Sequence, residues 1–412
     1  MKTLKTLIKT IFILSALCLT LTGHTQELEA LIQDALKNSP EIQAFELKHQ
    51  AVKESINEAN TIPNTQVAVG YFVSEPETRT GAQRFKISAM QMLPSFGEIT
   101  ARENYINTLS DAVYEDVVIA KRKLVVAVSQ SYYNLYALKK KQTVLDDNIT
   151  LLKTYETLAL TAVEVGKASA VAVLRLQMRQ NELQQVKQIM EQDYLAERTK
   201  FNKLLHRDKN KQVIVVDSLS VPLTDALFDS ENLRVHPELL KYDRLYNSIE
   251  QSELLNKKER NPMLGFGLDY IAVDERPNMD FSDNGKDILM PMVSVSIPIF
   301  SSKYASKTKQ NALKQQEVLL QKENRLNVLE TLLDEAIKQT NAARISYNTQ
   351  VNNLKQAKDA ETILIKSYET GTIDFTDVLD IQELQLKFQI SQIDAIKSYY
   401  LQRTVINYLT KQ

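Results

Sequence analysis

Asp377 and Asp380, in the stretch "YETGTIDFTDVLD" from Tyr368 to Asp380, are the residues whose type and spacing best suit a chemical task. Positions three apart on a helix share a face, so both carboxylates can project to one side. Two readings follow. Around a pore, copies of this pair form a ring of negative charge that selects cations. At the start of a helix, the same acids complement the positive end of the helix dipole. Elsewhere the chemistry is sparse. The four histidines, His24, His49, His206 and His236, are scattered, and Cys18 is the only cysteine. Zinc spacings such as H-x-x-x-H or C-x-x-C are absent, as are P-loop, G-x-S-x-G and G-x-G-x-x-G motifs. The expectation is a protein with no catalytic residues, no resident metal and no cofactor, and hence not an enzyme.

Composition limits the partners. Charged residues make up 25% of the 412 and the formal net charge is −1, with no Trp and no basic cluster carrying interleaved aromatics, so a nucleic-acid partner is not expected. Nine Gly and ten Pro are few for this length, which favours long uninterrupted helices. The first residues read as a secretory signal, 1–25. Lys2, Lys5 and Lys9 precede an apolar run from Ile11 to Leu21 that is too short to span a bilayer. Cleavage is expected between about Gly23 and Gln26. Leu17 is not the small residue that lipidation of Cys18 would need before it, so lipidation is a minority reading and the mature chain carries no thiol.

The mature chain reads as a tandem repeat. "NSPEI" at Asn38 recurs as "VHPEL" at Val235, and "MLPSF" at Met92 as "SIPIF" at Ser296. "VGKASAVAVLRLQ" at Val165 recurs as "TGTIDFTDVLDIQ" at Thr370. The units are 26–222 and 223–412, each with a short helix, two alternating segments, and two long helices.

The alternating segments suggest strands at about 65–73, 84–93, 263–271 and 288–298. Val67, Val69, Tyr71 and Val73 oppose Gln66, Ala68 and Gly70, and Phe85, Ile87 and Ala89 oppose Arg84, Lys86 and Ser88. Leu264, Phe266, Leu268 and Tyr270 oppose Gly265, Gly267 and Asp269, while Val293, Val295 and Ile297 oppose Ser294 and Ser296. Such strands fit an outer-membrane barrel, and they also fit ordinary surface hairpins. Met90, Met92, Met290 and Met292 share the parity assigned to a barrel lumen. Their thioethers suit Cu(I), or equally fill apolar space. Long helices are expected at about 98–165 and 168–208, then at 302–370 and 374–410. Glu98 to Val165 holds no Gly or Pro, and as one helix it would run roughly 100 Å.

The glycines in these helical stretches read as turns. Gly371 supplies a positive φ that ends one helix, and Asp374 or Thr376 caps the next. Gly166 with Ser169 does the same in the first unit. The acidic pair is not repeated, because Ala172 and Arg175 stand at the positions corresponding to Asp377 and Asp380.

Together these parts resemble the TolC family of outer-membrane efflux channels, over the whole mature chain. The resemblance rests on the two-fold repeat, "LPSFG", "IPIF" and "YETGTIDFTDVLD". It implies an α+β membrane protein, a homotrimer with four strands per protomer. The 12-stranded barrel in outer-membrane lipid continues as a long periplasmic α-helical barrel of coiled-coil hairpins. Tyr368 and Gly371 match the family's Y-x-x-G turn, and Asp377 and Asp380 match the pair lining its periplasmic aperture. Val165, Gly166, Thr370 and Gly371 match the helix tips that meet a periplasmic adaptor protein. An inner-membrane pump of RND or ABC type would supply the energy. Where the family prototype carries an Arg in its gate, this chain has Ile373, so the latch must differ or be weaker. The function implied is the exit duct of a tripartite efflux system for drugs, metabolites or metal ions, in the outer membrane of a Gram-negative cell. A type I protein secretion exit channel shares the fold. A soluble periplasmic coiled-coil spacer is the reading from another class.

Overall fold

The computed structural model describes residues 23–166, 169–224, 230–370 and 372–411. The expected signal therefore falls almost entirely outside the described residues, as does Gly371. Helices α1 (Gly23–Asn38) and α2 (Pro40–Ala59) precede strands β1 (Gln66–Tyr71), β2 (Glu77–Thr78) and β3 (Gly81–Leu93). Helices α3 (Glu98–Glu164) and α4 (Ala170–Leu204) follow. A short 3-10 turn leads into α5 (Pro237–Glu259), β4 (Met263–Asp274), β5 (Ile288–Ser296), α6 (Lys303–Glu369) and α7 (Phe375–Thr410). The order helix, strands, two long helices thus occurs twice. By internal contacts the chain forms two compact units, each drawing on both halves of the sequence. One holds Ala44–Val118 and Pro237–Arg325. The other holds the residues up to Gln43, Ile119–His236 and Leu326–Gln412.

The first of these units is built on an antiparallel sheet of order β1-β3-β4-β5, with β2 beside β3. The register puts Val67 opposite Ala89, Val69 opposite Ile87 and Tyr71 opposite Phe85. Ala89 in turn faces Leu268, and Phe266 faces Val293. Because side chains alternate, these residues make one apolar face. That face is uncovered: Val69 is 74% exposed and Val293 70%. The other face carries Gln66, Lys86, Ser88, Met90, Met92, Gly265, Gly267, Asp269, Met292 and Ser294. There the Lys86 ammonium pairs with Asp269, whose side chain is fully buried. Strand β3 begins earlier than its alternation suggests, because the register shifts between Gln83 and Phe85. Arg84 is the extra residue of that bulge, which leaves its guanidinium free to pair with Glu75 and Asp274. The connections 72–80 and 275–287 are tied together by Arg79–Asp283 (2.9 Å), Arg276–Glu77 (3.0 Å) and a Gly285 N–H to Thr80 carbonyl bond (2.7 Å).

Helices of the same unit are tied to one another. Asp116 of α3 accepts from Lys241 of α5 at 2.6 Å and from Lys48 of α2 at 3.3 Å. Glu253 of α5 accepts from Thr308 and Asn311 of α6.

In the second unit, α3, α4, α6 and α7 bury an apolar seam. Leu145, Ile149, Leu152 and Tyr155 of α3 meet Val173, Leu176 and Leu183 of α4 and Phe375, Val378 and Leu386 of α7. Their spacing of three and four along each helix puts them on one stripe. A buried polar cluster interrupts the seam. The Tyr155 hydroxyl donates to Glu361 at 2.8 Å, and Gln385 donates to the same carboxylate at 2.7 Å. Gln382 also donates to both groups. Burial, followed by the Glu361 bond, pushes the Tyr155 hydroxyl pKa up, so it stays a donor at any physiological pH.

Candidate functional site

The turn between α6 and α7 is built by side chains that close helix ends. At the end of α6, the Thr370 and Thr372 hydroxyls donate to the Ser367 carbonyl at 2.9 and 2.8 Å, satisfying an acceptor the helix leaves open. At the start of α7, Asp374 is the N-cap and accepts from the Thr376 N–H at 3.1 Å. That bond holds the Asp374 carboxyl below its ordinary range. Tyr368 stands edge-on to Phe375, with ring centroids 5.0 Å apart. Among the described residues its buried hydroxyl has no hydrogen-bond partner. Ile373 packs against the apolar seam. Its side chain thus adds to the core and offers no charged bond.

The turn between α3 and α4 uses the same devices with different residues. Gly166 has φ +70°, and Ser169 caps α4 by accepting from the Val171 N–H at 3.2 Å. Val165 and Gly166 are exposed, as is Thr370. The two turns differ in charge. Asp377 and Asp380 are exposed on the first turns of α7. Asp380 lines a cavity with Arg175 and Arg179 of α4, together with Thr376 and Glu383 of α7. Arg175 donates to the Thr376 hydroxyl at 3.1 Å, and Arg179 pairs with Glu383 at 3.4 Å. One helical hairpin therefore holds the other through two arginines.

Neither a family model nor a curated protein matches this chain. Solved structures do. The chain aligns with CusC, described in terms of folding and transmembrane channel formation, at TM-score 0.76 and 14% identity, covering 94% of this chain and 92% of the other. It aligns with the outer membrane protein VceC from Vibrio cholerae at TM-score 0.73 and 13% identity, covering 93% and 96%. With the MtrE outer membrane channel of Neisseria gonorrhoeae in its open state, the TM-score is 0.68 at 14% identity, covering 94% and 90%. The fold is that of an outer-membrane channel. It is the fold that the TolC-family resemblance implies.

Within the channel fold, Tyr368, Asp377 and Asp380 come together at one turn, and Val165 and Gly166 lie at the other. Gly371 lies outside the described residues. Arg175 and Arg179 were not singled out by sequence reading as cross-hairpin donors. Their only signal was that Arg175 occupies the repeat position of Asp380. The histidines do separate structural work. His236 is buried with a ring nitrogen 3.2 Å from the Tyr408 carbonyl, His49 lies on Tyr114, and His206 takes a positive φ just after α4. Among the described residues no group of three His, Cys, Asp or Glu could hold a metal ion, and no helix is long and apolar enough to cross a membrane. The latter says nothing of strands.

Proposed function

We propose that this chain is a TolC-family outer-membrane exit duct, working as a homotrimer of four strands per protomer in the outer membrane of a Gram-negative cell. The observation that carries this reading is the sheet. Its apolar face is exposed, its opposite face carries Lys86, Ser88, Asp269 and Ser294 among methionines and glycines, and β1 and β5 stand at its edges. In water such a face and such edges are liabilities, whereas in a closed barrel lipid covers the face and neighbouring copies pair the edges. The fold likeness agrees with this reading.

On it, residues 1–25 are a cleaved signal, and 26–222 and 223–412 are two structural repeats. The helical unit extends into the periplasm, where Val165, Gly166, Thr370 and Gly371 meet an adaptor protein served by an RND or ABC pump. Asp377, Asp380 and Tyr368 line the aperture there, and Arg175 and Arg179 supply the bonds that Ile373 does not. Cargo is small molecules or ions driven by the pump, so the duct itself performs no chemistry. The test is single-channel recording of the detergent-purified protein in a planar bilayer. Cation-selective conductance from a protein that leaves membranes only in detergent supports the duct. A protein that washes off membranes in buffer and never conducts refutes it.

A further inference from the structure

Five of the chain's nine methionines lie on the polar face of the sheet: Met90, Met92, Met263, Met290 and Met292. None lies on the apolar face. If these residues served only to fill apolar space, the lipid-facing side would suit them at least as well. Instead they share a surface with Gln66, Lys86, Ser88, Asp269 and Ser294.

Their placement is concerted. Met90 pairs with Gly267, which pairs with Met292, so two methionines flank a residue without a side chain. Met92 and Ser294 flank Gly265 in the next row, and Met263 continues β4 one row further. The thioethers fold into the space the glycines leave. A Cβ on Gly267 would stand 2.8 Å from Met90 Cε, and one on Gly265 would collide with Met92 Sδ and stand 3.4 Å from Met90 Sδ. Both sulfurs converge on one hydroxyl, with Ser294 Oγ 3.5 Å from Met90 Sδ and 3.6 Å from Met92 Sδ. A thioether is a weak acceptor, so the hydroxyl holds the two sulfurs weakly. Thioethers are poor ligands for hard cations such as Na⁺ and Mg²⁺ and good ones for soft d10 monovalent cations. An uncharged sulfur set binds such an ion without a permanent charge in the way of other cargo.

We propose that this face is a binding site for soft monovalent cations, Cu(I) or Ag(I). Met90 and Met92 supply the primary thioether pair, the Ser294 oxygen lies beside them, and Met292 and Met290 offer the next sulfurs along the wall. The site itself rests on the sheet's register. Its use as a transit point for metal cargo rests on the exit-duct reading.

The probe is Ag(I), which undergoes no redox change here. It is titrated into the full-length protein in detergent with Cys18→Ser in the background, so that no thiol competes. The protein is expected to bind Ag(I) and to ignore Na⁺ and Mg²⁺. Met90→Leu with Met92→Leu should weaken Ag(I) binding at least about tenfold, since Leu keeps the volume and removes the sulfur. Met178→Leu with Met190→Leu, on α4, should leave it unchanged. A second readout needs no sheet variant: bound Ag(I) should shield Met90 and Met92 from peroxide oxidation to the sulfoxide while Met178 and Met190 oxidise as before.

Absence of Ag(I) binding, equal loss in the α4 control, or unshielded Met90 and Met92 would each overturn the site. Bilayer conductance separates the two claims. A conducting protein that does not bind Ag(I) loses only the metal site. One that binds Ag(I) but never conducts keeps the site and loses its role in cargo transit.

Discussion

The two units of this protein use the same apolar residue types in opposite directions. In the helical unit, Leu145, Leu176 and Val378 point inward and are nearly inaccessible. In the sheet unit, Val67, Val69, Val293 and Val295 point outward and are exposed. The helical seam is complete within one chain. The sheet face is not, and on the exit-duct reading lipid is what covers it. On that reading, what differs between the units is the solvent each was built against.

Reversing the sheet's outward polarity should have the largest effect. Val69→Arg with Val293→Arg puts two cations on the apolar face, at about 2–4 kcal/mol each near a bilayer midplane. Membrane assembly should be lost, as read by detergent-resistant oligomers on gels. Normal assembly of the double variant would mean that this face does not meet lipid. Next comes the helical seam. Leu176 is fully buried, so Leu176→Ala should cost about 2–5 kcal/mol in chemical denaturation while leaving membrane partition intact. Loss of partition with no change in denaturation would invert the assignment of the two units.

A smaller effect tests the acidic turn. With one unit charge at about 5 Å in water worth ~0.8 kcal/mol, Asp377→Ala with Asp380→Ala should lower the cation-to-anion permeability ratio roughly fourfold. An unchanged ratio in bilayer recordings would leave the pair as helix-start acids only.

The smallest effect is Asp374→Ala, at about 1 kcal/mol for loss of the N-cap. Its pH dependence has a definite sign. The carboxyl pKa is depressed in the folded state, so the cap's contribution is present above the unfolded value of about 4 and is lost as pH falls through the folded value. The wild-type protein should lose that increment on acidification, and the variant should not.

Much of this architecture was legible because it is written in short periods. Val67, Val69 and Tyr71 alternate with Gln66, Ala68 and Gly70, and that alone assigns both faces of β1. Gly166, Ser169 and Asp374 are local signals that act within a few residues of themselves. The Arg84 bulge was not legible, since an extra residue is defined only against the strand opposite it. The polarity of Met263 was available from the alternation of β4 but stands out only once β3 and β5 are laid beside it. The hold of Arg175 on Thr376 joins residues 201 apart, and the Tyr155–Gln382 contact joins residues 227 apart. No spacing rule reaches that far. At the acidic turn the residue types were readable, whereas the cavity they share with two arginines depends on which helices become neighbours.

The ladder between β3 and β4 has a consequence for the order in which the molecule is made. Its partners lie far apart in the chain, with Arg84 and Asp274 separated by 190 residues. During synthesis the first hairpin, β1 with β3, emerges while more than a hundred residues of helix still separate it from β4. Loop closure of that length is slow, and non-local pairing lowers folding rates steeply. The backbone bonds of α3 and α4 are local and can form before β4 is made. The first hairpin must therefore wait with a bare edge and a greasy surface, and on the exit-duct reading it does so in the periplasm, where it would need an escort.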